Sequence, residues 1–361
     1  MRPLVVDLGR EYRGGQHQAL LLLQGLVSRG HSPKLITLRD SLLAQRATDS
    51  GIMVHGISPG CRRLAATLVI RRLVQKRDVD IIHANEPHAL SSAWLARAHG
   101  SVPVIVSRRI ALPLSTSEFS RARYRAASRI VAVSRFVAKS VVASGFAEGC
   151  ADVIYDGVEI PAAIGEVDRD SARKQFSISQ ESLCIANVAA FVKEKGHELL
   201  VAAFAKLILQ FPKCVLLLPG EGPEKNKLQE TVRRLGLEAV VKFPGFVSDI
   251  ESVYAATDLF VFPSYEEPLG SSLLSAMAHG LPVVAFARGG VPEVVEDGKN
   301  GLLVKQLDPT ALSAAMVRLL SNPVQARQFG EAARETVSSH FSADRMVEAT
   351  LHLYEQFTAT R

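Results

Sequence analysis

Short apolar runs rich in Val and Ile alternate along this chain with amphipathic segments of about ten to fifteen residues. A run of that kind fits a strand buried on both faces, and the longer segment fits the crossover helix that two parallel strands require. The alternation therefore predicts a parallel α/β architecture, and it occurs twice. Strands are expected at 3–8, 34–38, 79–84, 102–107, 129–134 and 151–156, and again at 183–191, 214–220, 240–245, 259–264 and 282–286. Helices in the second half are expected at 196–211, 223–236, 248–256 and 270–279, followed by 308–320, 324–339 and 343–358. Between the halves, Gly157, Pro161 and the polar run in "GVEIPAAIGEVDRDSARKQF" break the rhythm, and the linker is placed there. The expected layout is two doubly wound, Rossmann-like domains, 1–160 and 161–340, with 341–361 a terminal helix that crosses back to the first domain. Such a pair faces a central cleft with the carboxyl ends of its strands, so ligand loops should follow strands.

Composition narrows the function. At 361 residues, 47% hydrophobic and 22% charged, the chain has enough apolar material for two ordinary cores. No uncharged apolar stretch reaches about 18 residues, and "MRPLVVDLGREYRGG" is interrupted by charge too early for a signal-peptide core. The expectation is a cytoplasmic protein, neither secreted nor membrane-spanning. Cys61, Cys150, Cys184 and Cys214 have no metal-ligand spacing and are read as reduced core residues. The net charge of +6 is divided unevenly: residues 1–160 hold 22 Lys and Arg against 12 Asp and Glu, and 161–361 hold 20 against 24. Basic clusters stand at Arg62, Arg63, Arg71, Arg72, Lys76 and Arg77, and at Arg108, Arg109, Arg121, Arg123, Arg125 and Arg129. They suit solvated helix faces, an acidic substrate or an anionic bilayer. Nucleic acid fits less well, because neither cluster is interleaved with exposed aromatics for base stacking. For peripheral membrane attachment, Arg121, Arg123, Arg125 and Arg129 are the preferred group.

Four segments place polar or glycine-rich loops between a strand and a helix. In "GREYRGGQHQALLLLQGLVSRGH", Gly14 and Gly15 precede a helix, which is equally an ordinary turn. "VAAFVKEKGHELL" offers Lys193, Lys195 and Gly196 at a helix start, where a lysine and free N–H groups can meet phosphate; Lys195 reads as an exposed loop residue and His197 as part of the helix. "LLLPGEGPEKNKL" flanks Glu221 with Gly220 and Gly222. "PSYEEPLGSSLLSAMAHGLPVV" is the most specific: an acid pair, then Gly270, Ser271 and Ser272 presenting N–H groups to an anion, with a serine N-cap as the plain alternative.

These segments, with "DIIHA", "RIVAVSRFVAKSVVASG", "VIYDGVE", "VKFPGFVSDI" and "GGVPEVVEDGKNGLLV", resemble in order and spacing the family 4 (group 1) retaining glycosyltransferases of the GT-B fold. The resemblance covers nearly the whole chain. It implies a nucleotide-sugar donor, no cofactor, no required metal, and a glycan or lipid-linked acceptor, in the synthesis of lipopolysaccharide or a related cell-envelope glycan. It also implies that Lys195 holds the donor diphosphate, that Glu267 contacts the sugar hydroxyls, and that the amides of Gly270, Ser271 and Ser272 bind phosphate. The Gly220 and Gly222 turn lies near the donor, backbone at Phe246 and Val247 reads the nucleobase, and Gly15 admits the pyrophosphate to the N-terminal domain. The chain departs from the pattern at three places. A second acid, eight residues after the first, is Ser275; a phosphate-binding arginine is Ala190, with Arg108, Arg109 or Lys193 as substitutes; and a histidine after the fifth strand is replaced by "SRRI". A sugar-nucleotide-binding homologue with little activity and a nucleotide-sugar epimerase are the other functions compatible with this architecture.

Overall fold

The computed structural model describes residues 1–115, 117–161 and 166–359. The chain separates into two compact units, Met1–Gly157 with Ala343–Arg361, and Val158–Ser342. The change of unit falls a few residues ahead of the boundary expected at 160.

The first unit is built on seven parallel strands: β1 Pro3–Val6, β2 Lys34–Leu38, β3 Met53–Ile57, β4 Ile81–Ala84, β5 Val104–Arg108, β6 Arg129–Ala132 and β7 Ala151–Val153. Their order is β3-β2-β1-β4-β5-β6-β7, so the winding reverses between β1 and β4. Apolar cores cover both faces of the sheet, one under the helix Gly14–Ser28 and the other under Arg62–Gln75 and Pro87–Leu95. The terminal helix Ala343–Thr358 belongs to this unit and lies against Gly14–Ser28, where a Cβ on Gly25 would come within 2.5 Å of Val347. Tyr354 on that helix reaches His83 Nδ1 at 2.5 Å, while His83 Nε2 meets Ser107 Oγ at 2.6 Å. Burial pushes His83 down to about 3, so a neutral imidazole fastens the helix to β4 and β5.

The second unit has six parallel strands, β8 Leu183–Ala186, β9 Cys214–Leu217, β10 Val241–Lys242, β11 Leu259–Phe262, β12 Val283–Phe286 and β13 Leu302–Val304, in the order β10-β9-β8-β11-β12-β13. Its reversal lies between β8 and β11. Cys184 and Cys214 are buried in these strands, whereas Cys61 is exposed at a helix start and Cys150 half-buried, so only two of the four cysteines are core residues. The expected linker needs correction as well: residues 162–165 lie outside the described residues, but Glu166–Gln175 is a helix of the second unit. Its charge-rich sequence conceals a structural arginine. Arg173 is 1% exposed, donates to the carbonyls of Ser179, Gln180 and Ser182, and pairs with Asp258 at 2.6 Å. Asp258 in turn accepts the Cys184 amide at 2.7 Å, so the helix is fixed to the start of β8 by a charge-assisted network.

Candidate functional site

Because every strand of the second sheet is parallel, the loops after β8, β9, β10, β11 and β12 emerge at one edge. There the backbone is interlocked. A Cβ on Gly220 would lie 2.1 Å from the Ala189 carbonyl oxygen, and one on Gly222 would lie 2.4 Å from that of Phe191. The Gly220 amide donates to the Gly245 carbonyl at 2.8 Å, tying the turn to the loop of Phe246 and Val247, where Phe246 is 74% exposed. Tyr265 N donates to Glu194 O at 2.8 Å and joins the loop after β11 to the turn carrying Lys193 and Lys195.

Across that join, Lys195 Nζ donates to Glu267 Oε2 at 2.6 Å. Lys195 is only 26% exposed and Glu267 11% by side chain, so the lysine is not the free loop residue expected from sequence. Of the neighbouring acids, Glu266 is exposed and Glu267 buried. Two helices begin beside the pair, His197–Leu207 with N-cap Gly196 and Ser271–Ala278 with N-cap Gly270, and neither start has a side-chain cap. The serine N-cap alternative is therefore excluded. Elsewhere in this unit, the helices beginning at Pro309 and Pro323 are capped by Asp308 and Asn322. Uncapped N–H groups on two helices, with an ammonium group between them, form a setting for a polyanion.

The other candidates divide. Ser271 is exposed and Ser272 half-buried on the first turn of their helix, where the Tyr254 hydroxyl donates to the Ser272 carbonyl at 3.3 Å, while Ser275 sits one turn further. His279 Nδ1 meets the Ser275 carbonyl at 2.7 Å and His279 Nε2 meets Glu251 at 2.5 Å, so an acid stands close to the turn where the family pattern puts one. No sequence spacing pointed to Glu251, which comes from the preceding helix. His197 is buried against Phe191 and pushed down to about 4 by burial, a packing residue rather than a base. Lys193 is exposed, and a pocket lined in part by Phe191, Lys193, His197 and Tyr265 opens beside it.

Arg108, Arg109 and Gly15 lie in the first unit. Arg109 is committed to Asp156 at 2.9 Å and to Asn85 Oδ1 at 2.6 Å, and Arg108 is buried with one bond to the Leu112 carbonyl. Of the three substitutes considered for Ala190, Lys193 alone shares a unit with Lys195. A Cβ on Gly15 would meet nothing nearer than Arg109 Cδ at 3.9 Å, so packing within the protein does not demand glycine there. The arginine group preferred for membrane attachment divides as well. Arg129 pairs with Asp152 at 2.7 Å, and Arg123 turns inward to the Pro87 carbonyl and Ser91.

The family described as Glycosyl transferases group 1 matches residues 168–336, and Glycosyltransferase Family 4 matches residues 12–160. The chain belongs to the group 1 glycosyltransferases. It is 32% identical over 187 residues to N-acetyl-alpha-D-glucosaminyl L-malate synthase of Bacillus anthracis, covering 52% of this chain and 49% of that protein. It is 30% identical over 181 residues to the lipopolysaccharide core biosynthesis glycosyltransferase LpsE of Rhizobium meliloti, covering 50% of this chain and 52% of the relative. The chain thus spans about half the length of these curated relatives. Among solved structures, Anabaena HepE in complex with UDP and glucose superposes with a TM-score of 0.84 over 98% of this chain and 99% of its own, at 24% identity. That likeness assigns the GT-B fold to this group 1 glycosyltransferase.

Proposed function

We propose that this glycosyltransferase moves a sugar, with retention of configuration, from a nucleotide-diphosphate donor to a sugar or lipid-linked acceptor of a cell-envelope glycan. The observation that carries this reading is the Lys195–Glu267 pair at 2.6 Å between two uncapped helix starts. On donor binding, Lys195 and the amides of Gly270, Ser271 and Ser272 take the diphosphate, and Glu267 is released to orient sugar hydroxyls. Charge then grows on the leaving diphosphate where these donors already point, which is the main catalytic contribution. The complex of HepE with UDP supports the choice of donor class, and LpsE, by its function in lipopolysaccharide core biosynthesis, supports the pathway. No helix of the described residues is long and apolar enough to cross a membrane, and a lipid-linked acceptor would be met at the membrane surface. Arg121 and Arg125, together with the exposed Leu64 and Leu68 beside Arg71 and Arg72, are the residues for such peripheral contact.

The test is incubation with a panel of nucleotide sugars and phosphorylated or lipid-linked acceptors, with the product anomer read by NMR. Binding without turnover, or isomerisation of the donor, would overturn the reading. Among the described residues no group of three His, Cys, Asp or Glu side chains is placed to hold a metal, and Lys195 with the helix starts supplies the positive charge instead. Transfer is therefore expected to be unchanged in EDTA; loss restored by Mg²⁺ or Mn²⁺ would contradict this. Glu267→Gln is expected to fold normally and lower turnover by about tenfold or more, since a charge-assisted hydrogen bond becomes a neutral one. Wild-type turnover would remove Glu267 from the site.

A further inference from the structure

We propose that the first unit binds a phosphoryl group of the acceptor among Arg62, Arg63, His88 and Arg123. This rests on the transferase reading above and names the chemistry of the second substrate. All four residues stand beyond the carboxyl ends of the parallel strands: Arg62 and Arg63 open the helix after β3, His88 is in the first turn of the helix after β4, and Arg123 is on the helix after β5. These three helices pack side by side, and the Ser92 hydroxyl donates to the Arg63 carbonyl at 3.1 Å, bringing the start of the first helix onto the second.

The positive charges are not matched by protein acids. Arg2, Arg29, Lys34, Arg109 and Arg129 of this unit each have a carboxylate partner, whereas among the described residues Arg62, Arg63, Arg108 and Arg123 have none. Arg62 spends one N–H on the Leu8 carbonyl, Arg123 donates to the Pro87 carbonyl and the Ser91 and Ser120 hydroxyls and keeps its Nε–H, and Arg63 is exposed with no side-chain hydrogen bond among the described residues. Burial, and then the charges of Arg62, Arg63 and Arg123, hold His88 below its ordinary value. Glu86 is the acid close to the group. Its carboxylate is turned onto the amides of Leu8, His88 and Ala89, and burial raises it to about 7, so it neutralises little of the field. Like charges gathered at the functional edge of a sheet cost stability unless a ligand offsets them. Donors arriving from three separate helices suit the tetrahedral oxygens of a phosphate better than the single plane of a carboxylate.

The test uses the full chain with UDP at saturation, so that the donor site is occupied, and titrates inorganic pyrophosphate by calorimetry. Pyrophosphate should still bind, and Arg63→Gln should weaken it by about tenfold, one charge-assisted contact's worth, with UDP affinity unchanged. Arg63 is exposed, so folding is not at stake; Arg123→Gln, checked by circular dichroism, should weaken it further. No binding beside UDP, or binding indifferent to Arg63→Gln, overturns the inference and leaves the donor reading standing. Failure to bind UDP or any other common nucleoside diphosphate overturns the donor reading, and pyrophosphate binding that depends on Arg63 would then still identify the anion site. A soluble sugar phosphate, and vesicles with or without a polyprenyl diphosphate, distinguish the two sources of the group by which one shows the same dependence on Arg63.

Discussion

Lys195→Ala is expected to lower transfer by about 10²- to 10³-fold, the range found when one preorganised donor to a developing anion is removed. Among the described residues its ammonium is the one side-chain cation held directly on Glu267, and the helix starts beside it carry only partial charge. The substitution has a second effect that an exposed loop lysine would not produce. Glu267 is 8% exposed, and losing its partner leaves a poorly hydrated carboxylate, which costs about 1–3 kcal/mol of stability. Water entering the space vacated by a side chain that was 26% exposed keeps this toward the lower end. The two effects separate in a double substitution. Lys195→Ala with Glu267→Gln should regain thermal stability relative to Lys195→Ala alone, while transfer stays low, because a neutral amide no longer needs the cation but the diphosphate still does. Wild-type affinity of Lys195→Ala for a nucleoside diphosphate would sink the assignment.

That pair lies 72 residues apart in sequence, and periodicity cannot indicate which loops meet. What periodicity does indicate is the strands that are apolar on both faces, and eleven of the thirteen among the described residues begin within about two residues of the expected starts. The edge strands are different. β3, "MVHGI", has one buried residue, and β13 is three residues long, so neither makes the Val and Ile run that marks a central strand. The runs at 183–191 and 214–220 misled in the opposite direction. Their later residues are apolar but leave the sheet after Ala186 and Leu217, because Ala189 and Phe191 pack backbone to backbone with Gly220 and Gly222. Charge patterning failed where a charge is committed to the protein's own groups: Arg173 looked like linker and Arg123 and Arg129 like a free basic face, yet each has local partners.

Gly289 lies behind the proposed donor site, and Gly289→Val is expected to lower transfer by about 10²-fold or more. The motif "GGVPEVVEDGKNGLLV" supported the family resemblance without suggesting a role for its first residues. In the fold, the Gly290 amide donates to the Glu267 carbonyl at 2.8 Å, and Gly289 lies against the same peptide with φ +59. A Cβ there would stand 2.1 Å from Glu267 O and 2.9 Å from Glu267 N, with no flexible side chain to give way. Valine must therefore push the Glu267 backbone aside by about 1 Å, a displacement that can cost about 10²-fold when it moves an orienting group. It must also hold a left-handed conformation unfavourable by about 1–2 kcal/mol, so the melting temperature should fall, and Gly289→Ala gives a milder version with the same direction. Adding Gly289→Val to Glu267→Gln decides whether the glycine acts through Glu267. If it does, transfer falls by much less in the double variant than the two single losses multiplied, whereas general loosening of the second unit would make the losses multiply. Wild-type turnover of a folded Gly289→Val chain would show that Glu267 tolerates a displaced loop and is not held for chemistry.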